Sequence, residues 1–189
     1  MNDDIVLSVV IATWNSKKQT EECIQSIVDL PEYSVNTEII LIDNDSKDGT
    51  AELVKLKYPQ VKLIINDANI GYAPACNQGI QASSGKYVLL LGSDTILKPG
   101  CLKKTVEYLN KKPEVGAVGC KLLYPDGTLQ GNCKRFPKLS NAFLIYTSLN
   151  RFNYDYDMRG FNYDETIQVE QIATTFLMVR GDLLRKLKG

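Results

Sequence analysis

The chain has 189 residues, of which 44% are hydrophobic and 23% charged, and its 22 basic side chains balance its 22 acidic ones. This composition is typical of a soluble globular domain, and zero net charge argues against nucleic acid as a partner, because a polyanion is bound by an excess of positive charge. The chain contains no histidine, so it holds no Ser-His-Asp triad, no histidine-ligated zinc and no histidine general base.

Strand and helix patterns alternate along the first 120 residues. Five apolar runs of strand length are separated by segments with helical periodicity, and this alternation predicts a mainly parallel sheet covered on both faces. Ser16 and Gln19 have the S-x-x-Q spacing of a capping box at the start of the first helix. The predicted strands are IVLSVVIA, TEIILID, VKLIIN, KYVLLL and VGAVGC, and the predicted helices are SKKQTEECIQSIVDL, DGTAELVKLKY, YAPACNQGIQAS and CLKKTVEYLNK.

The alternation ends after Cys120. A Pro-Asp-Gly turn within LLYPDGTLQ predicts a hairpin. The remaining segments predict a helix over SNAFLIYTSLNRF, a mobile loop over NYDYDMRGFNYDETIQ, a strand over VEQIATTFLMV and a helix over GDLLRKLKG. Because neither an internal repeat nor an interdomain linker interrupts the pattern, we expect residues 1–189 to form a single domain.

Cysteine usage and the amino terminus bear on cellular location. The five cysteines form no CxxC pair, which argues against zinc and thioredoxin-type sites, and their odd number predicts mostly buried thiols in a reducing cytoplasm. The opening MNDDIVLSVV is acidic before its apolar run, the reverse of a secretory signal, and no stretch approaches the roughly 20 apolar residues that span a bilayer. We therefore expect a cytoplasmic protein, with peripheral attachment to the inner face of the membrane as the alternative.

Polar side chains follow four of the predicted strands. Ligands bind at the carboxyl ends of strands in an open parallel sheet, so these ends predict a ligand site. Taken singly, the same residues are also typical of turns and helix caps. Asp43 differs because the apolar run IILI leads directly into it, and a carboxylate there needs hydrogen bonds or a ligand. The four ends carry Thr13, Trp14 and Asn15; Asp43, Asn44, Asp45 and Ser46; Asn66, Asp67, Asn69, Gly71 and Tyr72; and Ser93 and Asp94.

The loop after the first strand, ATWNSKKQT, contains no glycine. A dinucleotide-binding turn needs G-x-G-x-x-G there and a P-loop needs G-x-x-x-x-G-K-[ST], so neither motif is present. A nucleotide diphosphate bound to this sheet would therefore need another source of positive charge. A divalent cation held by Asp94 would supply it, since hard cations take carboxylate oxygens and bridge phosphates.

Four segments, in this order, carry a family resemblance: SVVIATWNS, EIILIDNDSKDGT, NIGYAPACNQGI and GKYVLLLGSDTILKPG. From residue 6 to about residue 188 the chain resembles glycosyltransferase family 2, close to its rhamnosyltransferase-like bacterial members. The resemblance implies the GT-A fold, a Rossmann-like α/β fold, with a nucleotide-binding half over residues 1–120 and an acceptor-side portion over residues 121–189. It also implies a nucleotide-diphosphate sugar, linked to UDP or dTDP, as the donor.

The same resemblance implies roles for residues at the strand ends. Asp43 is expected to contact the base, and Asp94 matches the last carboxylate of the DxD-type motif that holds Mg²⁺ or Mn²⁺. In this chain the motif is Gly92-Ser93-Asp94, so its first acid is absent. The other nucleotide-sugar contacts that the resemblance implies are Thr13 and Asn15 at the nucleoside, Asn44 and Ser46 in the loop after Asp43, Asn69, Gly71 and Asn77 at the ribose and diphosphate, and Ser93 beside the metal.

The family's acidic motif, which supplies the catalytic base, would follow Gly189 in this chain. The resemblance therefore implies a GT-A fold that is incomplete at the carboxyl terminus and has no catalytic base of its own. We expect such a chain to bind the donor without transferring the sugar. An apolar surface left where the missing helices packed would favour a homodimer.

The implied reaction moves a sugar from the nucleotide diphosphate to the hydroxyl of a saccharide or lipid-linked acceptor, in bacterial cell-surface polysaccharide synthesis. The resemblance implies inversion at the anomeric carbon with assistance from a metal. One alternative is a non-catalytic fragment or interaction module that binds nucleotide sugars. Another is a nucleotidyltransferase, which needs a glycine-rich loop with a basic residue after the first strand, whereas ATWNSKKQT has lysines but no glycine.

Overall fold

The computed structural model describes residues 6–31, 36–139, 141, 143, 147, 156–158 and 160–187. Strands and helices alternate up to residue 119, as the sequence predicts. The strands are β1 (Leu7–Thr13), β2 (Thr37–Asp43), β3 (Lys62–Ile65), β4 (Tyr87–Gly92), β5 (Ala117–Gly119), β6 (Leu122–Leu123), β7 (Leu129–Gln130), β8 (Cys133–Lys134), β9 (Gln171–Ile172) and β10 (Phe176–Arg180). The helices are α1 (Lys17–Val28), α2 (Thr50–Lys57), α3 (Tyr72–Ala82), α4 (Cys101–Lys111) and α5 (Gly181–Leu187).

A six-stranded sheet runs in the order β3-β2-β1-β4-β10-β5. β1 lies between β2 and β4 and pairs with both in parallel, and β3 pairs in parallel with β2. β10 is antiparallel to β4. The prediction of a mainly parallel sheet flanked by helices is confirmed.

Helices cover both faces of this sheet. The chain moves from β1 to β2 to β3 in one direction and then returns to β4 on the other side of β1. Because such crossovers are right-handed, α1 and α2 lie on one face and α3 on the other. All seven residues of β1 are buried, which explains why its apolar run is nearly continuous instead of alternating.

Helix α3 packs closely on β1 and β2. Its buried side chains join those of the two strands in one apolar cluster. A Cβ at Gly79 would lie 2.2 Å from Val10 Cγ1 and 2.7 Å from Ile42 Cδ1. The missing side chain at Gly79 thus sets the distance of α3 from the sheet, and it thereby sets the position of the helix N-terminus.

The chain divides into two compact units, Met1–Val118 with Thr174–Gly189, and Gly119–Ala173. The first unit contains the parallel strands and the five helices named above. In the second unit β6 and β7 form the predicted hairpin, in which Tyr124 N–H donates to Thr128 O. β8 pairs with β9 in the same unit, a pairing that the sequence does not predict.

The prediction of one continuous strand over VEQIATTFLMV is wrong. The segment forms two strands, β9 in the second unit and β10 in the first. Ala173 N–H donates to Asn132 O, whereas the Thr175 carbonyl accepts Gly92 N–H. The chain therefore leaves one partner strand and pairs with another between Ala173 and Thr175, and an apolar run in the sequence does not reveal such a change.

Two predicted elements fall largely outside the described residues. They are the helix over SNAFLIYTSLNRF and the first part of the loop over NYDYDMRGFNYDETIQ. Within the described residues no helix is both long enough and apolar enough to cross a membrane.

We expect Gly79→Ala to destabilise the protein by about 1–3 kcal/mol, the usual cost of adding a carbon to a well-packed core. The added Cβ would overlap Val10 and Ile42, so α3 must move away from the sheet. Urea unfolding followed by circular dichroism measures the change. Gln81→Ala is the matched control, because Gln81 is exposed on the same helix. Equal stabilities of the two variants would contradict the close packing of α3.

Candidate functional site

The carboxyl ends of four parallel strands meet at one edge of the sheet, as the sequence predicts. Asp43 at the end of β2 is level with Thr13 of β1 and with Ile65 of β3. Gly92 at the end of β4 is level with Ala12 of β1. Because neighbouring strands lie about 4.8 Å apart, the ends of β2 and β4 are roughly 10 Å from each other. The direction of the chain along the sheet reverses between β1 and β4, and such a reversal opens the crevice where ligands bind.

Side-chain bonds join the loops after β1 and β2. The Asp43 carboxylate, whose residue is 1% exposed, accepts the Ser46 hydroxyl at 2.5 Å and the Ser46 N–H at 3.1 Å. Ser46 Oγ in turn accepts Asn15 N–H at 2.9 Å. Asn15 Oδ1 accepts Lys47 N–H at 2.7 Å, so each of the two loops also donates a backbone N–H to the other. The structure thus brings together three of the predicted site residues: Asn15, Asp43 and Ser46.

The capping box predicted at the start of α1 is wrong. Ser16 is the N-cap residue, but its side chain makes no capping hydrogen bond. Its hydroxyl lies 2.7 Å from Thr13 Oγ1, which is also 2.7 Å from Thr20 Oγ1. Thr13 is 3% exposed, so its hydroxyl belongs to a buried cluster of hydroxyl groups. We call the edge of the sheet where the four strands end the polar edge.

Asp48 caps two helices from the loop after β2. Its carboxylate accepts Lys17 N–H at 2.8 Å, at the start of α1. It also accepts the N–H of Thr50 at 3.1 Å and the hydroxyl of Thr50 at 2.5 Å, at the start of α2. Desolvation raises the pKa of Asp48, but these hydrogen bonds outweigh it and lower the pKa below its ordinary value. Sequence reasoning missed this role because Asp48 and Lys17 are 31 positions apart.

A network of side-chain amides joins the loops after β2 and β3 to α3. Asn44 is 4% exposed. Its Nδ2 donates to the Gly71 carbonyl at 3.2 Å, and its Oδ1 accepts Asn66 Nδ2 at 2.9 Å. Asn66 and Gln78 exchange two further bonds of 2.9 Å. Gln78 was not predicted as a site residue, because nothing in the helical pattern of α3 indicates its bonds with Asn66.

Gly71 fixes the start of α3. Its backbone has φ 90° and ψ 165°, a conformation that is essentially restricted to glycine. Its N–H donates to Asn69 Oδ1 at 2.9 Å, which positions the exposed Asn69 just before the helix. Asn77 is partly buried in the second turn of α3. The first turn of the helix therefore begins at the polar edge, next to the amide network.

Asp94 lies two residues beyond β4 and is exposed on a turn. Thr95 N–H donates to Gly92 O at 3.1 Å and closes the turn, while Ser93 is partly buried. A Cβ at position 92 would lie 2.9 Å from Asp94 Oδ1 and 3.0 Å from Thr95 Oγ1. In this turn the first acid of a DxD-type motif would therefore displace the Asp94 carboxylate, and glycine avoids the conflict.

Tyr72, the first residue of α3, is one of the strand-end residues named from the sequence, but the family resemblance gives it no role. Burial raises its pKa to about 12, while a hydrogen bond with Thr174 lowers the pKa and the neighbouring Cys76 and Asp94 raise it. The phenol therefore stays uncharged at neutral pH. Since 44% of Tyr72 is exposed, its side chain offers a neutral hydrogen-bonding group at the polar edge.

Asp94 is the one acidic side chain in the turn after β4. The described residues contain no group of three or more histidine, cysteine, aspartate or glutamate side chains that could hold a metal. The Thr95 hydroxyl oxygen is buried in the same turn and has no hydrogen-bond partner among the described residues. Mg²⁺ is commonly bound through one or two carboxylates together with substrate phosphates. These oxygens therefore fit a cation that arrives with a phosphate ligand.

Comparisons with known proteins place the chain among sugar-transferring enzymes. The family model described as "Glycosyl transferase family 2" matches residues 8–182. The chain is 34% identical over 121 residues to an uncharacterized glycosyltransferase of Haemophilus influenzae, covering 62% of this chain and 36% of the relative. It is 28% identical over 145 residues to N-acetylglucosaminyl-diphospho-decaprenol L-rhamnosyltransferase of Mycobacterium tuberculosis, covering 71% and 47%. The chain thus spans less than half the length of either relative.

The fold is similar to that of a solved enzyme, the mannosyltransferase PcManGT from Pyrobaculum calidifontis, in complex with GDP-Man and Mn²⁺. The TM-score is 0.67 at 20% sequence identity, and the match covers 97% of this chain and 46% of that one. This similarity confirms the GT-A fold that the resemblance implies.

We expect Asp48→Asn to remove a pH-dependent contribution to stability. The pKa of Asp48 is lowered in the folded protein, so the stabilisation is present above the unfolded pKa of about 3.9 and is lost as the pH falls through the folded value. Thermal unfolding of both proteins between about pH 2 and pH 7 should show the largest difference near neutrality and a shrinking one below about pH 4. A difference that stays constant over this range would contradict the charged cap.

Proposed function

Because the chain belongs to glycosyltransferase family 2, we propose that it binds a nucleotide-diphosphate sugar along the carboxyl edge of its sheet and acts in transfer of the sugar to an acceptor hydroxyl. The observation that carries this proposal is the pair of carboxylates after β2 and β4. Asp43 is buried and held by Ser46, whereas Asp94 is exposed. A fixed, buried carboxylate is suited to recognition of the base, and an exposed one is suited to a cation at the diphosphate.

The base is proposed to lie at the joined loops after β1 and β2. Ser46 donates to both Asp43 oxygens, and each oxygen keeps a lone pair for an N–H of the base. Uracil and thymine each present one N–H to such an acceptor, which supports a UDP- or dTDP-linked donor. Trp14, which is 56% exposed, adds an aromatic face near Thr13 and Asn15 on which a base can stack.

The ribose and diphosphate are proposed to lie at the N-terminus of α3. The N–H groups in the first turn of a helix and its dipole attract phosphate oxygens. Gly71 begins this helix, and the amide side chains of Asn69 and Asn77 provide further hydrogen-bonding groups. Asn44 is assigned a supporting role, because its amide already bonds the Gly71 carbonyl.

Asp94, with Ser93 beside it, is proposed to hold Mg²⁺ or Mn²⁺ at the diphosphate. A bound cation would neutralise the negative charge that develops on the departing nucleotide diphosphate. The Gly92 turn presents the carboxylate towards solvent, where a diphosphate can approach it. We propose the neutral Tyr72 phenol, 44% of whose residue is exposed, as a further hydrogen-bonding group for the same ligand.

The acceptor is proposed to be a saccharide or a lipid-linked saccharide in bacterial cell-surface polysaccharide synthesis, at the cytoplasmic face of the membrane. The name of the Mycobacterium relative contains a sugar linked through a diphosphate to decaprenol, which supports this class. We assign the acceptor side to the unit Gly119–Ala173. Inversion at the anomeric carbon needs a base for the acceptor proton, and we propose a carboxylate of the family's acidic motif for that role.

We expect Asp43→Ala to weaken binding of UDP or dTDP by about 1–3 kcal/mol, the scale of a buried hydrogen bond to a charged group. Isothermal titration calorimetry with UDP, dTDP and GDP measures the loss and identifies the base. Asp45→Ala is the matched control, because Asp45 is a carboxylate in the same loop that pairs with Lys47. Unchanged affinity in Asp43→Ala, with an intact fold by circular dichroism, would overturn the assignment of the base site.

We expect Asp94→Asn to abolish most of the gain in UDP or dTDP affinity that Mn²⁺ gives, because the amide removes the charge that attracts the cation. Binding of uridine or thymidine, which carry no phosphate, should not change. The same substitution should strongly slow cleavage of the bond between the sugar and the nucleotide diphosphate of the donor. If the wild-type protein binds a nucleotide sugar but transfers its sugar to no acceptor, the chain is a non-catalytic binding module.

A further inference from the structure

We propose that Ser26 of α1 is a positioning residue for Asp94, a role that rests on the function proposed above. Ser26 Oγ accepts Leu97 N–H at 3.1 Å and donates to Cys23 O at 2.7 Å. Leu97 lies three residues after Asp94 in the same connection to α4. One helix side chain therefore holds the segment that presents the proposed metal ligand.

The opposite end of this segment is held by the same face of α1. The Cys23 thiol donates to Gly92 O at 3.5 Å, and the Gly92 carbonyl also accepts Thr95 N–H at 3.1 Å. Cys23 and Ser26 are three positions apart, so they project from one side of the helix. Residues 92–97 are thus fixed at both ends by one turn of α1.

Two of the residues that fix the segment are buried, whereas two of its middle residues are exposed. Cys23 is 0% exposed and Leu97 is 6% exposed, whereas Ile96 is 56% exposed. Asp94 is also exposed. The position of the exposed Asp94 therefore depends on bonds made at the partly buried Gly92 and at the buried Leu97.

The Ser26 hydroxyl acts as donor and acceptor at once. Its only proton is used on the Cys23 carbonyl, so the oxygen accepts the Leu97 N–H with a lone pair. Alanine at position 26 would leave that buried N–H without its acceptor, and the segment would relax at the end nearest Leu97. Threonine keeps the hydroxyl and should restore the bond.

The test compares Ser26→Ala with wild type by calorimetry, using UDP or dTDP with and without Mn²⁺. We expect the gain in affinity on adding Mn²⁺ to fall about five- to tenfold, which corresponds to the loss of one hydrogen bond. Affinity for the nucleotide without metal should be unchanged, and Ser26→Thr should recover most of the loss. Glu22→Ala, on the exposed face of α1, is the control.

Amide hydrogen exchange gives a second readout that does not depend on a ligand. Exchange of the Leu97 amide should accelerate about tenfold in Ser26→Ala and return towards the wild-type rate in Ser26→Thr. If Ser26→Ala keeps the full increase in nucleotide affinity on adding Mn²⁺ while Asp94→Asn loses that increase, the positioning role is overturned and the proposed function stands. Absence of any Mn²⁺ gain in the wild type would overturn the metal role of Asp94 and, with it, this inference.

Discussion

The site depends on the parallel pairing of β1 with a neighbour on each side. Every residue of β1 is buried, and a one-residue slip in either pairing would turn its side chains to the opposite face of the sheet. The register that results sets Thr13 level with Asp43 and Ala12 level with Gly92. The loops that follow these three strands therefore meet at one edge, where the loop after β3 joins them through the bond from Asn44 to Gly71.

These loops are ordered by side chains that bond backbone groups in another loop. A glycine-rich phosphate loop presents bare N–H groups to its ligand, but here Ser46, Asn15 and Asp48 occupy N–H groups of neighbouring segments. The site is thereby shaped before a ligand binds, and little conformational entropy remains to be lost on binding. No glycine-rich cradle of N–H groups follows β1, so the function proposed above takes positive charge at the diphosphate from a cation and a helix N-terminus.

Sequence reasoning found the parts of the structure that are encoded locally. The apolar runs ending at Thr13 and Asp43 identified β1 and β2, and the family pattern located Asp94. Sequence reasoning failed where a hydrogen-bond partner is not a near neighbour in the chain. Asp48 caps α1 from 31 positions away, and Gln78 of α3 bonds Asn66 in the loop after β3. Two-residue strands such as β8 carry no periodicity at all, so only the folded chain reveals their pairing.

Helix α1 connects the two ends of the proposed ligand site. It has 12 residues and is therefore about 18 Å long. Its first turn contacts the end of β1 through the bond of Thr20 with Thr13, and the loop after β2 through the N–H of Lys17, which Asp48 accepts. A later turn holds the segment after β4 through Cys23 and Ser26. A rigid helix bonded at both places fixes the distance between Asp43, the proposed contact to the base, and the exposed Asp94, the proposed metal ligand, so a displacement of α1 would alter both proposed contacts together.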